Sequence, residues 1–168
     1  ENNKFVYRVN KDSKYFPKDV SKIYLNRDYL KKEVIINHYS EKEVSIITSR
    51  GCPYDCAFCG GASSLNKDSN SRIRSKESII EEIKEIVSRY PDVKSIRILD
   101  DLFLRNNKSI DTVKEIFSNF TKLSWRGMAH IDVLKKVFTK IEDLKKSGCK
   151  ELFIGIESGS NKIREKIR

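Results

Sequence analysis

Residues 44 to 63 read "VSIITSRGCPYDCAFCGGAS", an apolar stretch that runs directly into three cysteines. The first seven residues, "VSIITSR", are rich in β-branched side chains and predict a buried strand. The loop that follows carries Cys52, Cys56 and Cys59 at spacing C-x3-C-x2-C. A closed structural metal site takes four protein ligands, so the missing fourth ligand is the question this stretch raises.

Working outward from the loop, the same unit recurs. After the Ser/Asn-rich "SLNKDSNSRIRS", Ile79, Ile80, Ile83, Ile86 and Val87 fall on one helical face, and Pro91 ends that helix. "VKSIRILDD" (93–101) predicts a second strand. A second helix follows with Ile110, Val113, Ile116, Phe117 and Phe120 on its stripe and Asn107 as N-cap. "KLSWRGMAHI" (122–131) predicts a third strand, with Trp125 and Met128 in the core. A third helix places Leu134, Val137, Phe138, Ile141 and Leu144 inward and has Gly148 as its C′ residue. "KELFIGIES" (150–158) predicts a fourth strand, and a helix starts near residue 160.

Strands alternating with helices across short connections indicate an α/β fold with a parallel sheet. A complete eight-unit barrel takes about 250 residues, so the expectation is an incomplete (β/α) barrel over residues 44–168. Residues 1–43 are aromatic and polar, with "FVYRV" and "EVIINHY" as short strand candidates. They are expected to be an irregular lead-in from an upstream domain. The chain opens at Glu1 without Met and ends at Arg168 within a helical pattern, which predicts a piece of something longer.

Composition narrows the class. Of 168 residues, 38% are hydrophobic and 35% charged, with 34 Lys and Arg against 24 Asp and Glu for a net charge of +10. The basic residues are interleaved with acids, as in "IIEEIKEIVSR", so a solvated surface explains them and nucleic acid is only weakly supported. No apolar run reaches the roughly 18 residues of a membrane span, and no signal-peptide pattern is present. A cytoplasmic protein with reduced thiols is the expectation.

In such folds, active sites form at the C-terminal ends of the parallel strands. The cysteine loop falls there. So do Asp100 and Asp101, His130, and Glu157 with Ser158. Asp100–Asp101 could equally cap a turn. Glu157 after an apolar strand asks for a function, because an unpaired buried carboxylate is costly. Cys149, alone beside Gly148, reads as a small buried apolar residue.

With Phe58 just before the last cysteine, the triplet resembles the cluster loop of the radical S-adenosylmethionine (radical SAM) superfamily. "TSRGCPYDCAFC" (48–59), "SIRILDDLF" (95–103) and "SGCKELFIGIESGSNKIREKI" (147–167) are similar to segments of the branch that bears a cobalamin-binding domain or resembles methylthiotransferases. The resemblance implies that Cys52, Cys56 and Cys59 ligate a 4Fe–4S cluster whose fourth iron is chelated by S-adenosylmethionine. Reductive cleavage would then give a 5′-deoxyadenosyl radical that abstracts a substrate hydrogen, for methylation, methylthiolation or cyclisation. It further implies Phe58 beside the adenine, and Gly60 and Gly61 close to the cosubstrate. Asp100 or Asp101 would hold the methionine ammonium, and Glu157 and Ser158 the ribose or methionine moiety. Flavodoxin or ferredoxin would be the reductant. Neither His38 nor His130 fits the Asp-x-His-x-x-Gly pattern of a cobalamin domain, so cobalamin would belong to another part of the parent protein. The alternative reading is a zinc-stabilised nucleic-acid-binding module, with His38 or Cys149 completing the site.

Overall fold

A computed structural model describes residues 17–23, 25–29, 35–62, 71–137 and 140–167. Its five-stranded sheet has the order β1 (Ile35–Ile36), β2 (Lys42–Ile46), β5 (Ser95–Ile98), β6 (Ser124–Ala129), β7 (Cys149–Ile154). The pairs from β2 to β7 are parallel, and β1 adds an antiparallel edge. From β2 onward, spatial order equals chain order, without the reversal of a doubly wound sheet. A sheet that grows in one direction with its helices on one face is the start of a barrel, as the sequence predicts. The barrel is not closed.

Each helix follows from its residues. Helix α1 (Lys76–Arg89) starts at Ser75, whose side chain accepts from the Ser78 N–H. It buries Ile79, Ile83 and Ile86, each contributing roughly 1.5–3 kcal/mol. Helix α2 (Asn107–Phe117) is capped by Asn106, one residue before the predicted cap, in a reciprocal pair with Ser109. The predicted third helix is two, α3 (Ile131–Val137) and α4 (Ile141–Lys146). Leu144 is buried, but Ile141 is 41% exposed, because the break moves it off the inward stripe. The side chains of Leu134, Val137 and Phe138 lie outside the described set. Gly148 sits at φ +88 with the Leu123 carbonyl 2.7 Å from where a Cβ would stand, so the C′ position admits only glycine comfortably. Helix α5 (Asn161–Ile167) follows β7.

The core lies between the helices and one face of the sheet: Val44, Ile46, Ile96, Ile98, Trp125 and Ala129 meet Ile83, Ile110, Val113 and Phe117. Trp125 is fully buried and donates to the Ser147 carbonyl, 3.0 Å away. Met128 is not core. Side chains alternate across a strand, and Met128 shares the opposite face with Arg126. Cys149 packs partly buried against the core, as a small hydrophobe would.

One buried charged cluster holds the sheet's periphery. Glu82, on the inward face of α1, accepts from Arg74 and lies 2.6 Å from Arg27, which fastens the segment before β1 to the domain. Of the two candidate strands at the start of the chain, "FVYRV" lies outside the described residues, whereas "EVIINHY" supplies β1.

Candidate metal centre

The predicted strand 44–50 divides into β2 and a separate piece, β3 (Ser49–Arg50), which pairs antiparallel with β4 (Arg72–Ile73). This clasp closes the two ends of the segment containing the cysteines. Between them Gly51 turns the chain at φ +77, a left-handed conformation that glycine adopts without strain, and delivers Cys52. The Cys59 N–H donates to the Cys56 carbonyl at 3.0 Å, and the Ala62 N–H donates to the Cys59 carbonyl at 3.0 Å. These turns wind the three thiols around one short loop.

Asp100 fixes the start of the loop from the end of β5. It is 3% exposed. Its Oδ1 accepts from the Thr48 and Ser49 amides at 2.6 and 3.1 Å, and its Oδ2 from the Thr48 and Ser49 hydroxyls at 2.5 and 2.6 Å. A carboxylate with four donors already in place is an anchor. Asp101 is exposed on the same turn. Arg105, just before the α2 cap, donates to Ser49 Oγ on one side and Ser71 Oγ on the other, and to the Leu102 carbonyl at 2.7 Å. It therefore spans both ends of the cysteine segment. Burial lowers the Arg105 guanidinium below its usual pKa, opposed by the charges of Asp100, Cys52 and Asp101.

Two further anchors hold the middle. Tyr54 stacks on His130 at the end of β6, ring centroids 4.0 Å apart and planes 7° from parallel. The Ala57 N–H donates to the Ile167 carbonyl of α5 at 3.0 Å. His130 thus has a contact in the loop, a role its position alone did not reveal.

The remaining candidates sit at the rim with fewer ties. Phe58 is 54% exposed. A Cβ on Gly60 would meet nothing within 4 Å, and one on Gly61 would meet only Cys59 Sγ at 3.7 Å, so the protein's own packing does not require glycine at either place. Glu157 is exposed rather than buried, so the sequence argument from desolvation does not apply to it. What marks it is φ +64, unusual for a residue with a Cβ, with its carboxylate folded back over Gly155. Ser158 Oγ accepts from the Ser160 N–H at 3.1 Å. Among the described residues, no hydrogen bond joins Glu157 or Ser158 to the cysteine loop.

The donor set can be tested against the cluster that the resemblance implies. None of the cysteines is in a disulfide, and Cys59 is exposed. Among the described residues, no three Cys, His, Asp or Glu side chains converge as they would on one ion. A single zinc draws all its ligands to within roughly 2.3 Å of one centre. A cubane takes each thiolate on a different iron, and the loop supplies three cysteines that are in no disulfide. Cys149 is no fourth ligand: burial pushes its thiol up to about 12, outweighing a backbone hydrogen bond at Glu151 that lowers it, and it lies on the helix side of β7. His38 approaches Glu151 and Arg126 at the far end of the sheet.

Comparison with known proteins bears on the family and the fold. The sequence profile described as Radical SAM superfamily matches residues 46–168. The chain is 36% identical over 123 residues to a protein named uncharacterized methyltransferase PH0819, from Pyrococcus horikoshii, covering 73% of this chain and 26% of that protein. It is 28% identical over 128 residues to hopanoid C-3 methylase of Methylococcus capsulatus, covering 73% and 24%. The cobalamin-dependent S-adenosylmethionine radical enzyme OxsB, in its apo form, superposes with TM-score 0.57 at 21% identity, over 76% of this chain and 20% of that one. OxsB with aqua-cobalamin and S-adenosylmethionine bound gives TM-score 0.55 at 21% identity, over 73% and 19%. The chain spans 26% or less of the curated relatives it matches. With the profile covering well over half its length, the chain belongs to the radical SAM superfamily, whose cofactors are a 4Fe–4S cluster and S-adenosylmethionine.

Proposed function

We propose that this chain is the cluster-bearing part of a radical SAM enzyme that acts on an unactivated C–H bond. Cys52, Cys56 and Cys59 would hold the 4Fe–4S cluster, with S-adenosylmethionine bound beside it. When bound, these cofactors would supply one chemistry: one-electron reductive cleavage of S-adenosylmethionine, which generates the species that removes a hydrogen atom from the substrate. The electron comes from a flavodoxin or ferredoxin.

The chain's own residues bind and orient. Asp100 and Arg105 set the start and end of the cysteine segment, and the Tyr54–His130 stack sets its middle. Asp101, whose carboxylate is not engaged as that of Asp100 is, holds the methionine ammonium. Phe58 lies beside the adenine, and Gly60 and Gly61 admit the cosubstrate at close range. Glu157, strained at φ +64, and Ser158 contact the ribose or methionine moiety. The names of the relatives, a methyltransferase and a methylase, and the cobalamin dependence of OxsB support methyl transfer through cobalamin held elsewhere in the parent protein.

The observation that carries the reading is the loop: three cysteines outside any disulfide at the C-terminal rim of a parallel sheet, clasped at both ends. Anaerobic reconstitution of the full-length protein tests it. About four iron and four sulfide per chain are expected, with the broad visible absorption of a cubane. Cys56→Ala should abolish both. A colourless protein holding one zinc and no sulfide would overturn the proposal in favour of a zinc-stabilised module.

A further inference from the structure

The face of the sheet turned away from the helices carries charge in its central strands. Parallel sheets are ordinarily covered on both faces and read apolar on both. Here Glu43, Ser95, Arg97, Arg126 and Glu151 line this face, and strand register stacks them in layers. The acids of this face are neutralised by Arg126, which stands in register with Arg97 and Glu151. Glu43 takes Arg126 in a two-pronged bond at 2.6 and 2.7 Å and also accepts from Asn37 and Ser95, each at 3.1 Å. Glu151 takes the remaining Arg126 nitrogen at 3.2 Å and approaches His38. Both carboxylates are turned to Arg126.

Arg97 is different. It stands in β5, the middle strand, in register between Ser45 and Arg126. Its side chain is exposed, and no hydrogen bond or ion pair engages it among the described residues. The Phe153 ring lies beside it, its centroid 6.0 Å from the Arg97 guanidinium carbon and 5.7 Å from that of Arg126. Toward the rim, the next layer on this face is apolar: Leu99 is 47% exposed and Met128 38%, with Phe153 beside them. The order from the sheet's middle to its rim is therefore a free planar cation, an apolar band, and the cysteine loop.

We infer that Arg97 binds the anionic end of the substrate, a phosphate or carboxylate, and that Leu99, Met128 and Phe153 hold an apolar body pointing its C–H bond at the rim. The guanidinium fork suits either anion through paired hydrogen bonds. This rests on the radical SAM reading for what happens at the rim. The anion site itself rests on Arg97 and its layer.

The test uses the full-length protein, reconstituted anaerobically, titrated by calorimetry with phenyl phosphate, with 3-phenylpropanoate, and with benzyl alcohol as the neutral control. At least one anion binds the wild type. Arg97→Ala and Arg97→Gln weaken it about tenfold or more, as loss of a charged hydrogen-bonded contact should, and Arg97→Lys weakens it less. Benzyl alcohol binding stays unchanged. Preference for phenyl phosphate would mark a phosphorylated substrate, and preference for 3-phenylpropanoate a carboxylated one. If neither anion binds the wild type, or Arg97→Ala binds both as well as it does, the inference is wrong. Iron and sulfide content is measured on the same samples. A protein without a cluster that still loses the anion with Arg97→Ala refutes the radical chemistry and leaves the anion site standing.

Discussion

Asp100 offers the sharpest test of how the cysteine loop is held. Its two oxygens divide the work: Oδ1 serves the backbone amides of Thr48 and Ser49, and Oδ2 serves their hydroxyls. In Asp100→Ala all four donors lose their acceptor. The hydroxyls can rotate to other partners, but the two amides are fixed in the chain. A buried donor left unpaired costs about 1–3 kcal/mol, so two cost about 2–6 kcal/mol. Against a total stability on the order of 5–15 kcal/mol this is large. With a urea slope of about 2 kcal/mol/M, the midpoint should fall by about 1–3 M. Asp100→Asn is the discriminating variant. The amide oxygen keeps both backbone donors, and its NH2 can donate to the hydroxyls once these turn to accept. Its loss should stay near 1 kcal/mol, and reconstituted iron should stay near the wild-type level while it falls in Asp100→Ala. Asp101→Ala, exposed, should leave the urea midpoint unchanged. If Asn proves as damaging as Ala, the negative charge and not the acceptor geometry is what matters. If Ala proves harmless, Asp100 does not anchor the loop at all.

Two other outcomes follow from the same kind of accounting. Burial pushes the Cys149 thiol up to about 12, so at pH 8 iodoacetamide should leave Cys149 unmodified in the folded apo protein while exposed Cys59 reacts, and Cys149→Ser should retain full iron content. Glu43 gives the acid dependence: burial works to raise its carboxyl, but hydrogen bonds from Arg126, Asn37 and Ser95 outweigh it and hold the pKa below the usual 4.5. The unfolded chain then takes up the proton first, so this contribution is complete above about pH 4.5 and is lost as pH falls through the lower folded value. Urea titrations across pH should show that acid decline. Glu43→Gln should flatten it and lower the neutral plateau by about 3 kcal/mol, because Arg126 loses its paired partner.

Much of this was legible in the sequence, and the exceptions have physical causes. The parallel alternation, the helix stripes and the rim position of the cysteines follow from periodicity and turn chemistry, which are local. Met128 was misread from its residue type. The parity of "SWRGMA" already puts it with Arg126, across the sheet from Trp125. Asp100 was legible as a rim acid, but not as an anchor, since its four donors lie some fifty residues earlier in the chain. Arg105 gave no signal, because a single arginine in a loop has no period. A clue was available for Glu82, a carboxylate flanked by Ile79, Ile83 and Ile86 on an apolar stripe, where burial demands a cation.

The holding of the cysteine segment bears on how portable it is. Its supports come from the ends of successive strands and from the last helix: Asp100 and Arg105 after β5, His130 after β6, Ile167 in α5. A short peptide copied from residues 52–59 would bring the thiols but none of these braces. Transplanting the site to a foreign scaffold therefore means transplanting the rim of the sheet with it, and the spacing of the sulfurs inherits whatever curvature that rim has.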